Sequence, residues 1–215
     1  MSYDPNKHHR RSIRLKGYDY SQSGYYYITL CVKNMDYLFG EIVDHQMILN
    51  DAGKMVEKWF HELDNKYPDI ECGEYVVMPN HFHFIMHNNG KGNPNMKNNT
   101  GIVVRADLRV CPPVCPPVCP SDSEEGEHVG SPVRNPDRIW GEHVGSPVRN
   151  IIQWFKTMST NEYIRGVKTM DWKRFDGKLW HINYWEHIIR DQNSFETISS
   201  YILENPKIWN TDKLR

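Results

Sequence analysis

The sequence predicts an α+β fold in which helices pack on one face of an antiparallel sheet, of the ferredoxin-like or RNA-recognition type, with a C-terminal helical extension. Segments rich in aromatic and β-branched residues alternate with segments whose apolar residues recur at helical spacing. Their order along the chain is strand, helix, strand, strand, helix. A low-complexity stretch interrupts this order between the third strand and the second helix.

Length and composition indicate one domain. The chain has 215 residues, 39% of them hydrophobic, and a formal net charge of −1 that gives no sign of a polyanionic partner. Its five cysteines, an odd number, argue against a secreted disulfide framework. No run approaches the roughly 20 apolar residues that span a bilayer, and the first residues lack the pattern of a signal peptide. We therefore expect a cytoplasmic protein with no membrane association.

The first half of the domain begins with a predicted central strand over residues 25–32. Residues 37–49 alternate less cleanly and are expected to form a small hairpin. Asn50 is a typical helix N-cap, and the helix after it is predicted to end near Lys66, before Pro68. The apolar residues of this helix would form one buried stripe: Met55, Val56, Trp59, Phe60 and Leu63.

Two further strands, residues 71–77 and 81–86, are predicted with a tight turn between them, and the second begins His81-Phe82-His83. Because residues i and i+2 of a strand share a face, both imidazoles should point the same way while Phe82 points into the core. Two imidazoles side by side on a rigid strand form half of a divalent-metal site. The spacing alone also fits two histidines on a half-exposed strand.

Two segments of unusual composition flank or interrupt the predicted domain, which spans residues 21–215. Residues 1–20 form a basic arm with five basic and two acidic side chains, which is either solvated or contacts phosphates. Residues 90–148 contain Cys-Pro-Pro-Val repeats, one copy of Gly-Glu-His-Val-Gly-Ser-Pro-Val-Arg-Asn and most of a second copy, which ends at Asn150. Such Pro- and Gly-rich material cannot bury enough apolar surface to fold alone, so we expect a flexible insertion.

A second helix is predicted from Ile151 to about Lys168. It would carry two stripes, Ile151, Phe155 and Met158 on its apolar side and Lys156, Thr160 and Tyr163 on a separate polar side. Residues 180–190 are expected to be extended or mixed. A final helix over residues 194–203 should end before Asn205 and Pro206.

The histidine pair and a helical tyrosine together suggest chemistry at phosphorus. A divalent cation held by His81 and His83 could polarise a phosphodiester, and Tyr163 could attack it to give a covalent phosphotyrosine. Free tyrosine has a pKa of about 10, so the phenolate needs help from a cation, for which Lys156 is a candidate. The covalent bond retains the energy needed to rejoin a strand, which suits strand transfer. Alternatively, Tyr163 is an ordinary surface tyrosine.

Residues Val77-Met-Pro-Asn-His-Phe-His83 resemble the His-hydrophobic-His motif of the HUH endonuclease superfamily. Together with blocks at residues 11–20, 75–83, 155–163, 180–190 and 201–206, they make the chain resemble the REP-associated tyrosine transposases. These blocks follow the family's order and span nearly the whole chain outside the insertion.

This resemblance implies an RNA-recognition-like fold that binds Mg²⁺ or Mn²⁺ at His81 and His83. It implies that Tyr163 cleaves single-stranded DNA through a 5′-phosphotyrosine in DNA transposition, leaving a 3′-hydroxyl. The implied substrates are short repeats folded as hairpins, bound by a monomer or homodimer. The expected DNA-binding residues are Arg10, Arg11, Arg14, Lys16 and Lys156.

One position departs from the pattern of related single-strand transposases, in which a polar residue one helical turn after the tyrosine completes the metal site. Here Val167 and Gly166 occupy that turn. The third ligand is therefore unassigned, with His181 and His187 as candidates, although packing or structural hydrogen bonding would also account for them.

Three other functions bear on the same residues. A histidine-triad nucleotide hydrolase is excluded because Ile85 stands where a third alternate histidine is required. A rolling-circle replication initiator shares the histidine pair and the tyrosine. A hairpin-DNA-binding protein that has lost cleavage is the non-enzymatic alternative.

Overall fold

The computed structural model describes residues 22–90 and 148–215. The predicted basic arm, residues 1–20, and nearly all of the predicted insertion, residues 90–148, lie outside the described residues. The described elements are β1 (Gly24–Cys31), β2 (Gly40–Val43), β3 (Gln46–Leu49), α1 (Asp51–Lys66), β4 (Ile70–Val77), β5 (His81–Asn88), α2 (Val148–Thr169), β6 (Trp185–Ile189) and α3 (Gln192–Ile208). Short 3₁₀ turns lie at Lys33–Met35 and Trp209–Thr211.

The main sheet has four strands in the order β4-β5-β1-β6, and every neighbouring pair is antiparallel. β2 and β3 form a separate hairpin, as the sequence predicted. The predicted first strand is central in the sheet, between β5 and β6. The α+β class with an antiparallel sheet is therefore confirmed.

One face of the sheet packs against α1 and α2. Phe82 and Phe84 of β5 point to this face, where both rings contact Phe60 of α1 and Phe155 of α2. α1 is the helix expected from its apolar spacing, and the Asn50 side chain caps it by accepting a hydrogen bond from the Gly53 N–H at 2.9 Å. This aromatic contact fixes β5 relative to both helices.

The opposite face of the sheet is covered by α3, the predicted C-terminal extension. Ile198 and Ile202 of α3 cluster with Tyr27 of β1 and Ile85 of β5. Because Ile85 alternates with Phe82 and Phe84 along β5, α3 lies on the side of the sheet away from α1 and α2. The sheet is therefore enclosed between two helical layers.

α3 is longer than predicted, because it continues through Pro206 to Ile208. Proline lacks the N–H that would bond the carbonyl four residues earlier and usually stops a helix. Here the lost bond falls in the last turn, and buried residues on the sheet-facing side, Ile198, Ile202 and Asn205, hold the helix in place. Within the described ranges, no helix is long and apolar enough to cross a membrane.

Replacing Phe60 with alanine should lower the free energy of unfolding by about 3–5 kcal/mol, because it leaves a cavity between α1 and the sheet. Phe60 is fully buried. Urea unfolding followed by circular dichroism measures this. Lys54→Ala on the same helix is the control, because its ion pair with Asp51 is exposed and should contribute little. Equal losses in the two variants would contradict this packing.

Candidate metal and tyrosine site

His81 and His83 lie side by side on the α3 face of the sheet. Their ring centroids are 4.5 Å apart, and both side chains are fully buried. Phe82 between them points into the core on the other face, as the strand periodicity predicted. The alternative of two half-exposed histidines is therefore wrong.

Each histidine is held through its Nδ1 atom. Nδ1 of His83 lies 2.9 Å from the Tyr27 hydroxyl and 2.8 Å from the Thr29 hydroxyl. Nδ1 of His81 lies 2.7 Å from the side-chain oxygen of Asn80. Within the described parts of the chain, neither Nε2 atom has a hydrogen-bond partner. Two buried nitrogens thus remain available as ligands, with both rings oriented by neighbouring side chains.

Asp212 completes a group of three potential metal ligands. Its Oδ2 atom lies 3.7 Å from Nε2 of His81, and one ligand atom from each of His81, His83 and Asp212 falls within 4.8 Å of the others. Two imidazoles and a carboxylate could hold a divalent metal ion. No sequence motif pointed to Asp212, which lies far along the chain from the histidines.

The two histidines considered as third ligands lie elsewhere. Nδ1 of His181 accepts a hydrogen bond from the backbone N–H of Asn183 at 3.2 Å. His187 lies on the edge strand β6, opposite Tyr27, and is exposed. Neither belongs to the three-residue group.

Burial keeps the histidine pair neutral. It lowers the pKa of His83 to about 3 and holds the pKa of His81 well below its usual value, with the neighbouring His83 as a second, smaller cause. A neutral imidazole is the form that ligates metals, so both side chains are ready to bind a cation at physiological pH.

α3 brings a tyrosine to this group. The Tyr201 ring lies 5.5 Å from the His83 ring and 6.5 Å from the Tyr27 ring, centroid to centroid. Two helical turns further on, the Trp209 ring lies 6.0 Å from the His81 ring. α3 and the turn after it therefore cross directly over the histidine pair.

Asn205 lies one turn after Tyr201 and one turn before Trp209, on the same stripe of the helix. Its side chain is fully buried, and neither its Nδ2 nor its Oδ1 atom has a hydrogen-bond partner among the described residues. Leaving a buried amide unsatisfied costs about 1–3 kcal/mol. Such a group is expected where a ligand supplies the missing partner.

Tyr163 lies on the other side of the sheet. It is fully buried in the core formed with α1 and α2, its hydroxyl donates to the Lys173 carbonyl at 2.8 Å, and its ring contacts Trp172 and Phe175. Burial raises the pKa of Tyr163 to about 12, with Asp36 as a smaller cause. Tyr163 thus belongs to the buried stripe of α2, and the structure does not bring it to the histidine pair.

Of the five predicted DNA-binding residues, the structure describes only Lys156. The Lys156 ammonium donates to the His181 carbonyl at 2.8 Å and to the Asn183 carbonyl at 3.1 Å, and it lies 5.4 Å from the centroid of the Tyr184 ring. Lys156 therefore anchors residues 181–184. Arg10, Arg11, Arg14 and Lys16 lie outside the described residues.

Among the solved structures that resemble this chain, two share low sequence identity and a low TM-score with it. The first is a REP-associated tyrosine transposase bound to a REP hairpin, with 16% identity, a TM-score of 0.40, and coverage of 88% of this chain and 70% of that one. The second is a candidate transposase from Deinococcus radiodurans, with 12% identity, a TM-score of 0.39, and coverage of 90% and 96%. Similarity at this level establishes no function.

Sequence comparison gives a stronger relationship. No protein-family model matches the chain. It is 34% identical over 214 residues to an uncharacterized protein of Haemophilus influenzae, covering 99% of this chain and 96% of that protein. The chain therefore belongs to the same family as this Haemophilus influenzae protein.

Proposed function

We propose that the protein is a metal-dependent enzyme that cuts and rejoins single-stranded DNA, with Tyr201 as its nucleophile. The observation that carries this proposal is the packing of Tyr201 against His83, one of two buried histidines with an unsatisfied Nε2 atom. A tyrosine beside a cation site is a combination that can cleave a phosphodiester through a covalent enzyme–DNA bond.

The residues present fit a divalent cation. His81, His83 and Asp212 would hold it, and the buried amide oxygen of Asn205, on the sheet-facing side of α3, would be a further donor. Mixed imidazole and oxygen donors suit Mn²⁺, and carboxylate and amide oxygens also suit Mg²⁺. When bound, the cation would polarise the scissile phosphate.

Tyr201 would attack the phosphorus of a phosphodiester with its hydroxyl oxygen. A tyrosine O–P bond forms as the tyrosine hydroxyl gives up its proton, the bond from phosphorus to the 3′ oxygen breaks, and that oxygen takes up a proton and leaves as a 3′-hydroxyl, so no proton is gained or lost overall. The 5′-phosphate stays on the tyrosine. Attack by a 3′-hydroxyl on this phosphotyrosine reverses the exchange and rejoins a strand, so no external energy source is needed.

The choice of Tyr201 over Tyr163 rests on the two faces of the sheet. Tyr201 lies on the face of the histidines, and Tyr163 lies in the core on the other face. Tyr201 also agrees with the pattern of the related single-strand transposases, because the polar Asn205 stands one turn after it. Val167 stands at the corresponding place after Tyr163.

The substrate we propose is hairpin-forming single-stranded DNA, as the sequence resemblance implies. Arg10, Arg11, Arg14 and Lys16 of the basic arm would contact its phosphates. We further propose that residues 21–215 form one domain, with residues 90–148 as an insertion that the reaction does not use.

Tyr201→Phe should abolish the covalent protein–DNA adduct, because the phenyl ring keeps the packing but has no oxygen to attack phosphorus. Labelled hairpin DNA incubated with Mn²⁺ and run on a denaturing gel reveals the adduct. Tyr163→Phe is the matched control and should retain it. An adduct that persists in Tyr201→Phe and disappears in Tyr163→Phe would show that Tyr163 on α2 is the nucleophile.

Mn²⁺ should raise the melting temperature by about 5–10 °C at one hundred times its dissociation constant, because binding to the native state alone adds about 2.7 kcal/mol. His83→Ala should lose this shift. His87→Ala on the same strand should keep it, because His87 lies outside the three-residue group. Calorimetry with and without a chelator measures the effect, and an equal shift in both variants would place the metal elsewhere.

Because the buried histidines are neutral, we also expect the free energy of unfolding of the metal-free protein to fall in acid. The pKa of His83 is about 3 in the folded state and about 6.5 when unfolded, so the unfolded chain binds a proton first. The contribution of His83 to stability is thus complete above pH 6.5 and is lost as pH falls toward 3. Between pH 7 and 4, the free energy of unfolding measured with urea should fall less steeply for His83→Asn than for the exposed control His45→Asn. Equal slopes would contradict the burial of a neutral His83.

A further inference from the structure

We propose that residues 209–214 are a positioning segment for the metal centre and that Asn80 connects this segment to His81. The segment would fix His81 in the tautomer that presents a bare Nε2 atom to the cation, and it would supply Asp212 beside that atom. The metal-binding part of this inference rests on the proposed function.

The contacts of Asn80 determine the orientation of its amide. Its Nδ2 atom lies 2.7 Å from the Leu214 carbonyl oxygen and 3.4 Å from the Met35 carbonyl oxygen. Carbonyl oxygens only accept hydrogen bonds, so the NH₂ group must face them. The amide oxygen of Asn80 therefore faces His81.

The orientation of Asn80 in turn determines the tautomer of His81. The Asn80 oxygen lies 2.7 Å from Nδ1 of His81 and can only accept, so Nδ1 must carry the hydrogen. The other ring nitrogen, Nε2, has no hydrogen-bond partner among the described residues, as expected for the nitrogen of a neutral imidazole that carries no hydrogen. Its Nε2 atom consequently has a free lone pair directed at the site.

The same short segment reaches the other side of the His81 ring. Asp212 Oδ2 lies 3.7 Å from Nε2, and the other carboxylate oxygen accepts a hydrogen bond from the Leu214 N–H at 2.8 Å. The Trp209 ring lies 6.0 Å from the His81 ring. Both Asn80 and Leu214 are almost completely buried. The segment of residues 209–214 thus both holds the side-chain amide of Asn80 and carries the carboxylate of Asp212.

Docking of this segment and binding of the cation should therefore favour each other. A cation that binds His81 and Asp212 stabilises the docked segment, and a docked segment raises the affinity for the cation by the same factor. Loss of an outer partner of a metal-ligating histidine typically weakens metal binding by about 10–100-fold.

The direct test is ¹⁵N nuclear magnetic resonance of the imidazole nitrogens in the metal-free protein, with His81 assigned by comparison with His81→Gln. Wild type should show His81 protonated at Nδ1 and bare at Nε2. Asn80→Ala should show a mixture of tautomers, whereas Asn80→Asp should keep the wild-type tautomer because it retains an acceptor. A wild-type His81 protonated at Nε2, or an unchanged tautomer in Asn80→Ala, would overturn the positioning role.

Metal affinity separates this inference from the proposed function. Mn²⁺ titration should show about 10–100-fold weaker binding for Asn80→Ala and unchanged binding for the exposed control Asn65→Ala. Mn²⁺ should also slow hydrogen exchange at the Leu214 amide of the wild type. Equal affinity in wild type and Asn80→Ala would overturn the inference alone. A wild type that binds no Mn²⁺ would overturn the proposed function.

Discussion

The alternation of side chains along β5 is the constraint on which the site depends. Phe82 and Phe84 are buried against α1 and α2, so His81 and His83 must project from the other face. A shift of one residue in the register of β5 would exchange the two sets, burying imidazoles in the aromatic core. The packing that stabilises the fold therefore also fixes where a cation can be held.

The second helical layer, α3, lies on the face of the sheet that this alternation gives to the histidines. α3 covers the histidine face with apolar residues and packs Tyr201 against His83, and the segment after it brings Asp212 to 3.7 Å from His81. Buried polar atoms without partners, such as those of Asn205 and the two Nε2 atoms, lower the stability of a fold unless a ligand satisfies them. One ligand atom from each of His81, His83 and Asp212 lies within 4.8 Å of the others, and this proximity is what supports the proposed cation site.

Sequence periodicity predicted the elements whose burial is one-sided. The apolar stripe of α1 and the shared face of His81 and His83 follow from periods of 3.6 and 2 residues, whereas β1 was predicted from its aromatic and β-branched composition. Periodicity does not say which face of the sheet a helix will cover, and Tyr163 and Tyr201 were distinguishable only on that basis. Asp212 could not be predicted because its proximity to His81 is a purely tertiary contact. The helical path through Pro206 likewise reflects packing against the sheet.

The central claim is that the tyrosine on the histidine face carries the chemistry. The most direct measurement is mass spectrometry of the protein after reaction with hairpin DNA and Mn²⁺, nuclease trimming and proteolysis, which identifies the peptide that retains a nucleotide. The account predicts a nucleotide on Tyr201 of α3. A nucleotide on Tyr163, with none on Tyr201, would contradict it.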